Sequence, residues 1–296
     1  MNKICILLAA YNGGSFLAEQ LESIFSQKDV ALDVFVSLDK STDNSLDLIR
    51  DLQSEHSNLF LLDYGDSYGS AGKNFFRLIK DVDFCAYDYV AFADQDDIWP
   101  ENKLAKASVM LQKFDCYSAN VTAFWGDGRQ CLINKAQPQR EWDFLFEAAG
   151  PGCTYLFRRE VALNFQSWLA ERYSCVRDDV ALHDWLFYAF SRIHGYRWFI
   201  DPEPMMRYRQ HESNQVGTNN SFIAARKRFN MIKNKWYREQ VTTVAENLQL
   251  QNTAVFKYGI NNEYLGNLYL LLNVNKLRRR LRDRVALSFA LLFNFF

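Results

Sequence analysis

In "YVAFADQDDIWP", residues 89–100, an apolar run gives way abruptly to three aspartates in four residues, Asp94, Asp96 and Asp97. The run reads as a buried strand, so the aspartates fall where that strand ends. Crowded carboxylates repel one another and destabilise a fold unless positive charge separates them. A metal ion, a lysine and bulk water are the three ways of relieving that repulsion, and the rest of the chain decides among them.

Three similar units precede this one. "KICILLAA" is a continuous apolar run, and Ser15 then opens a helix with Leu17, Leu21, Ile24 and Phe25 on one face. "LDVFVSLD" is a second strand, and "STDNS" supplies caps for a helix that carries Leu48, Ile49 and Leu52. "LFLLDY" is a third, followed by a glycine-containing loop and a helix with Phe75, Leu78, Ile79 and Val82. "YVAFAD" is the fourth, with a helix expected from Pro100 to Lys113. Repetition of strand and helix predicts an α/β fold, a mostly parallel sheet with helices on both faces. Ligands of such sheets bind outside the carboxyl ends of the strands. Polar clusters mark those ends: Tyr11-Asn12 after the first strand, Asp39 after the second, and Asp94-Gln95-Asp96 after the fourth. Past residue 115 the alternation loosens into further strands and helices joined by long polar loops.

Bulk properties narrow the class. A chain of 296 residues, 49% apolar and 16% aromatic, holds one large α/β domain and its core, and is not disordered. The net charge of −1 hides an asymmetry, because residues 222–296 carry 13 Lys/Arg against 4 Asp/Glu, a balance of +9 that leaves −10 for residues 1–221. A basic tail on an acidic body suits an anionic surface as partner. Six scattered cysteines with no C-x-x-C pair fit reduced thiols rather than a zinc site or a disulfide frame. The N-terminus reads as a strand rather than a signal peptide, and no run approaches the roughly 18 apolar residues that span a bilayer. The expected location is the cytoplasm.

Asp94 and Asp96 stand two residues apart in a turn, so their carboxylates can converge on one hard cation such as Mg²⁺ or Mn²⁺. The plainer alternative is that Asp96 or Asp97 caps the following helix while the others are solvated. Position at a strand end favours the metal–phosphate site.

Six segments are similar, in order, to family 2 glycosyltransferases and especially to their bacterial rhamnosyltransferase branch: "ILLAAYNGGSFLAEQLESI", "SLDKSTDNS", "GSAGKNF", "FADQDDIWPENKL", "HDW" and "YRQHESNQVG". The resemblance covers residues 3–217 or so. It implies a GT-A fold, a Rossmann-like domain over residues 1–220 that binds a nucleotide-sugar and one divalent metal, Mn²⁺ or Mg²⁺, with residues 221–296 as a basic helical extension. By that resemblance Ala10 and Tyr11 line the base pocket, and Asp39 accepts a hydrogen bond from the pyrimidine N3–H; capping the next helix is the alternative for Asp39. "SLDKS" departs from the family pattern with Leu38 where Asp is common and Lys40 where Gly is usual, which leaves the base contact but alters the turn. Lys73 approaches the diphosphate or the base, Asp94 the ribose or a metal-bound water, and Asp96 and His211 the metal. Asp184 matches the catalytic base of an inverting transfer, and Trp185 beside it stacks on the acceptor or belongs to the core. "GCTYLFRR" matches the segment that faces donor sugar and acceptor. The implied reaction moves a sugar, L-rhamnose foremost, from a dTDP- or UDP-sugar to a saccharide or lipid-linked acceptor of O-antigen, capsule or lipopolysaccharide synthesis.

Other classes fit less well. Haloacid-dehalogenase-like phosphatases place D-x-D after the first strand, and sugar nucleotidyltransferases need G-x-x-G-T-R, which "AAYNGGSF" lacks. A non-catalytic nucleotide-sugar-binding or scaffold protein would have no use for Asp96, Asp184 and His211 together. In the tail, "KLRRRLRDR" (276–284) holds six Lys/Arg and precedes the apolar "VALSFALLFNFF". That order suits shallow insertion into the cytoplasmic leaflet of the inner membrane; packing on the body is the alternative. No nucleic-acid recognition module accompanies the charge.

Overall fold

β1 (Asn2–Ala10) is buried from Ile4 onward and pairs in parallel with β2 (Val30–Leu38) on one side and β4 (Tyr89–Ala93) on the other. Burial on both faces is what a central parallel strand requires, which is why "ICILLAA" lacks alternation. The computed structural model describes residues 1–211 and 234–296. The tail of the "YRQHESNQVG" segment and the start of the basic extension therefore lie outside the described residues.

The first half has the element order that the sequence predicts, although the first helix starts at Leu17 rather than Ser15 and the Asn44 side chain of "STDNS" does not cap the second. α1 (Leu17–Phe25), α2 (Ser45–Glu55), α3 (Ala71–Asp81) and α4 (Lys103–Met110) follow β1, β2, β3 (Leu59–Leu61) and β4 in turn. Successive side chains of a strand point to opposite faces, and two cores result. Ile4, Ile6 and Leu8 pack against α1 and α4 residues such as Leu21 and Leu104, while Cys5, Leu7 and Phe92 pack on the side of Phe75, Phe165 and Phe187. α4 is shorter than the expected helix and starts after Asn102, so neither Asp96 nor Asp97 caps it.

The second half makes the sheet mixed. β5 (Cys116–Trp125) and β6 (Gln130–Ile133) form a hairpin, and β7 (Leu156–Arg158) enters antiparallel between β4 and β5. Only short 3₁₀ turns at Asp143–Leu145 and Gly152–Thr154 lie between β6 and β7. β7 runs antiparallel to both β4 and β5, and so in the same direction as β6 on the other side of β5. The order is β3-β2-β1-β4-β7-β5-β6, with β8 (Trp198–Gln210) also paired to β5. Helices α5 (Arg159–Asp179) and α6 (His183–Ile193) separate β7 from β8. The chain turns from one half of the sheet to the other between β1 and β4, and a crevice opens at their carboxyl ends.

The described part of the extension comprises α7 (Trp236–Asn247), a π-turn (Val255–Ile260), α8 (Glu263–Leu272), α9 (Val274–Leu277) and α10 (Leu281–Leu292). Val241, Val244, Leu270 and Leu291 belong to the same core cluster as the α5–α6 face of the sheet. Two of the six basic residues of 276–284 turn inward. Arg278 donates to the Phe146 carbonyl, and Arg279, fully buried, pairs with Asp143 at 3.0 Å and Glu147 at 3.5 Å. Arg192 completes this cluster at 2.8 Å from Asp143. Burying these charges is stabilising only as a set, because a lone charge left in the core has no compensation. Arg279→Met is therefore expected to lower the unfolding free energy by about 3 kcal/mol in urea titrations, whereas Arg282→Met, on an exposed side chain, is expected to change it by less than about 0.5 kcal/mol.

Candidate active site

The crevice floor is tied together by backbone-directed hydrogen bonds. The Tyr11 N–H donates to Gln95 Oε1 at 2.8 Å and Gln95 Nε2 donates to the Tyr11 carbonyl at 3.0 Å, which locks the end of β1 to the end of β4. A Cβ on Gly13 would collide with that Gln95 side chain, so glycine is needed there. Ala10 is buried beneath the turn, and Tyr11 stands half-exposed above it. The Asp39 N–H donates to the Ala10 carbonyl at 2.8 Å, placing these three residues side by side. Asp39 does not cap a helix. Its Oδ1 accepts from the Lys40 and Tyr68 N–H groups and its Oδ2 from the Gly69 N–H, each at 2.8 Å, which pins the loop before α3. Each carboxylate oxygen has two lone pairs, so Oδ2 keeps one acceptor position.

The acidic turn after β4 is more crowded than its spelling suggests. Asp94, Asp97 and Cys153 offer ligand atoms all within 4.8 Å of one another. Burial pushes the Asp94 carboxyl up to about 7, with the Asp96 charge adding to the shift and the Cys153 thiol opposing it. Burial also holds Asp97 well above the usual carboxylate range, reinforced by Asp96 and Asp94, and its buried Oδ2 has no hydrogen-bond partner. Beneath the turn Lys103 is almost wholly buried, with Nζ 3.3 Å from the centre of the Trp99 ring, and burial pulls its ammonium down to about 7. β8 supplies the remaining partners. Its end bridges to Ile98 through Arg207, and Arg209 donates from its backbone to Asp97 Oδ1 at 3.2 Å and from Nε to the Asp96 carbonyl at 2.9 Å. His211 Nε2 lies 2.7 Å from Asp96 Oδ2, with its ring stacked on Phe16.

Asp184 sits in the first turn of α6, and its Oδ1 accepts the Trp185 N–H at 2.8 Å. Burial pushes its carboxyl up to about 6, against hydrogen bonds from the Trp185 and Gly152 backbone and the charge of Lys135. Gly152 abuts Asp184, and its neighbour Cys153 lies against Asp94 and Asp97, so the acids are close to one another. Gly152 lies so close that an added Cβ would meet the Asp184 Cβ at 2.7 Å and His183 Nε2 at 3.1 Å. His183 is buried against Phe75, ring centres 3.8 Å apart, and burial alone takes its imidazole down to about 3. Trp185 is a core residue, buried and donating Nε1 to the Phe144 carbonyl at 2.9 Å. Lys73 opens α3 at the same edge, but its Nζ pairs with Asp178 at 3.4 Å.

A parallel-sheet crevice with an acidic turn, an adjacent imidazole and a separate half-buried carboxylate is matched by known proteins. Residues 5–157 fit the model of glycosyl transferase family 2. The chain is 43% identical over 292 residues to a dTDP-rhamnosyl transferase, RfbG, of Shigella flexneri, an alignment covering 98% of this chain and 100% of that relative. The chain belongs to glycosyltransferase family 2. Its fold is GT-A: S. aureus TarS in complex with UDP superposes with a TM-score of 0.56 at 15% identity, covering 98% of this chain and 89% of that one. A mannosyltransferase from Pyrobaculum calidifontis, in complex with GDP-Man and Mn²⁺, superposes at 0.53 with 17% identity over 99% and 85%.

The donor set of this glycosyltransferase fits a divalent cation. Asp96 Oδ2 and His211 Nε2 form a carboxylate–imidazole pair, and the orphaned Asp97 Oδ2 is a further anionic oxygen in need of positive charge. Cys153 does not fit a hard cation, because burial and then Asp97 and Asp94 hold its thiol well above its ordinary value, in the protonated form. Lys103 and Arg209 join the candidate site without having been singled out in the sequence, whereas Asp97 was weighed there as a helix cap and Gly152 and Cys153 open the "GCTYLFRR" segment. Lys103 stood in plain view within "DQDDIWPENKL"; for Arg209 only long-range pairing reveals the role.

Asp184→Asn is expected to lower kcat about 10²–10⁴-fold with donor Kd unchanged. With Asp184 as the expected base, the rate is expected to rise with pH through about 6, where its carboxyl ionises, and to flatten above it. That limb should vanish from the residual rate of the Asn variant. Gly152→Ala, with a Cβ 2.7 Å from that of Asp184, is expected to lower kcat while circular dichroism stays unchanged.

Proposed function

We propose that this glycosyltransferase moves L-rhamnose from dTDP-L-rhamnose to a hydroxyl of a saccharide acceptor, with inversion at the anomeric carbon. The acceptor is a growing bacterial surface saccharide, free or on a lipid carrier, glycosylated on the cytoplasmic side. One observation carries the reaction type: Gly152 abuts Asp184 while the next residue, Cys153, lies within 4.8 Å of Asp94 and Asp97, which brings Asp184 to the acidic turn. A proton acceptor and a platform for a diphosphate thus share one crevice. The choice of donor follows the near full-length identity to a dTDP-rhamnosyl transferase.

In this reading Ala10 and Tyr11 flank the thymine, and the open lone pair of Asp39 Oδ2 receives its N3–H. Asp94 holds the ribose, and Lys73 exchanges Asp178 for the diphosphate. Asp96 and His211 hold a divalent cation, Mn²⁺ or Mg²⁺, which when bound neutralises charge on the leaving diphosphate. Asp184 takes the acceptor hydroxyl proton as that oxygen bonds to the anomeric carbon. The bond from that carbon to the diphosphate oxygen breaks, and dTDP departs with its electron pair. Gly152 keeps Asp184 close to the sheet edge, and His183, uncharged in its apolar pocket, adds no positive charge to that of Lys135, so burial still holds the carboxyl up at about 6.

Thermal unfolding with dTDP, UDP and GDP compounds, each with Mn²⁺, Mg²⁺ or EDTA, tests the site. A ligand at about 100 times its Kd adds about 2.7 kcal/mol. Stabilisation by dTDP-rhamnose that EDTA and Asp96→Ala both abolish is the expected result, together with dTDP release when an acceptor is added. A folded sample indifferent to every pyrimidine nucleotide would overturn the proposal.

A further inference from the structure

α10 presents apolar residues to both the core and the solvent. Leu287 and Leu291 are buried, as one face of a packed helix should be. The opposite side carries Leu281, Val285, Phe289, Leu292 and Phe293, spaced about one turn apart and 47 to 69% exposed. α8, which packs beside α10, adds Leu265, Leu268 and Leu272, the last 87% exposed. The rings of Phe289, Phe293 and Phe295 gather with centres 4.4, 6.4 and 6.5 Å apart, a cluster of half-exposed phenylalanines at the end of the chain. Isolated exposed leucines need no explanation, but a contiguous apolar face marks an interaction site.

The charges around the face indicate what it meets. Arg280, Arg282 and Arg284 stand at the N-terminus of α10, where the helix end is itself electropositive and cations are unfavourable. Asp283 is the single acid there, paired with Arg282 at 3.3 Å, and Arg280 has no ion pair among the described residues. Such an arrangement is relieved by an external anion. The same face of a second copy would bring no free acid, because Asp283 is the single acid there and is already paired with Arg282. No helix of the described residues is long and apolar enough to cross a membrane. Apolar residues on one side of a short helix beside arginines suit a position in the headgroup layer instead.

We infer that the exposed face of α8 and α10 docks on an anionic phospholipid bilayer, with Phe289 and Phe293 entering the acyl boundary and Arg280 and Arg282 engaging headgroup phosphates. Arg278 and Arg279 take no part, since they are bound to the 146–148 backbone and to Asp143. The inference stands on this surface and not on the identity of the donor, so either can fail alone.

The full-length protein is floated with vesicles of phosphatidylcholine alone and with added phosphatidylglycerol, at low and high salt, and sedimentation velocity reports its oligomeric state. Binding is expected only to phosphatidylglycerol vesicles and is expected to weaken with salt. Arg280→Glu/Arg282→Glu is expected to bind about tenfold more weakly or worse, and Phe289→Ser/Phe293→Ser not at all, with melting temperature and dTDP binding retained in both. No binding by the folded protein, or equal binding to both vesicle types, overturns the inference. So does a dimer that the phenylalanine variant dissolves while vesicles are ignored, which assigns the face to a second copy.

Discussion

Three carboxylates at the end of β4 and a fourth at the start of α6 crowd one poorly hydrated crevice, and much of the second half of the chain is arranged to make that tolerable. Coulomb repulsion is strong where water is scarce. Burial and mutual repulsion accordingly raise Asp94 and Asp97 toward their neutral forms. The compensations come from separate elements: Lys103 from α4, Cys153 from a 3₁₀ turn, Arg209 and His211 from β8. β8 runs for 13 residues, with register shifts past its two prolines, and this length carries Arg207, Arg209 and His211 across to the acidic turn. A cation bound at this turn would relieve the repulsion among the carboxylates.

Asp184, the proposed base, depends on a different set of contacts. Asp184 is positioned where Gly152 and Gly72 allow close approach, a Cβ on Gly72 being 2.5 Å from the Ala181 carbonyl. Gln240 of α7 accepts from the Ala181 N–H at 2.9 Å and donates to the Asp179 carbonyl at 3.1 Å, so the extension holds the segment that leads into Asp184. Arg278 and Arg279 hold the 146–148 backbone just before Gly152. The extension is thus part of the frame of the candidate active site, and its outer helices carry the exposed apolar face.

The four strand–helix units were readable in the sequence because each depends on local periodicity and on apolar runs that only a doubly covered parallel strand needs. The acidic turn was readable because carboxylates at a strand end are chemically conspicuous, whereas Asp184 was readable only through the resemblance of its segment to the family. Family segments carried the rest, from Ala10 to His211, and the match to glycosyl transferase family 2 bears that out for the family and the fold.

Tertiary structure alone decided which charges are solvated and which are structural. "KLRRRLRDR" reads as a uniform basic stripe, yet Arg279 is buried against Asp143, while Arg282 remains in solvent. The antiparallel entry of β7, the core role of Trp185, the pinning of the Gly69 loop by Asp39 and the pairing of His211 with Asp96 all join residues far apart in the chain. Local sequence sets period, capping and composition. The partner that a charged or polar group finds across 30 to 136 residues is set by how the layers close, and there the low dielectric of the interior allows few unpaired alternatives.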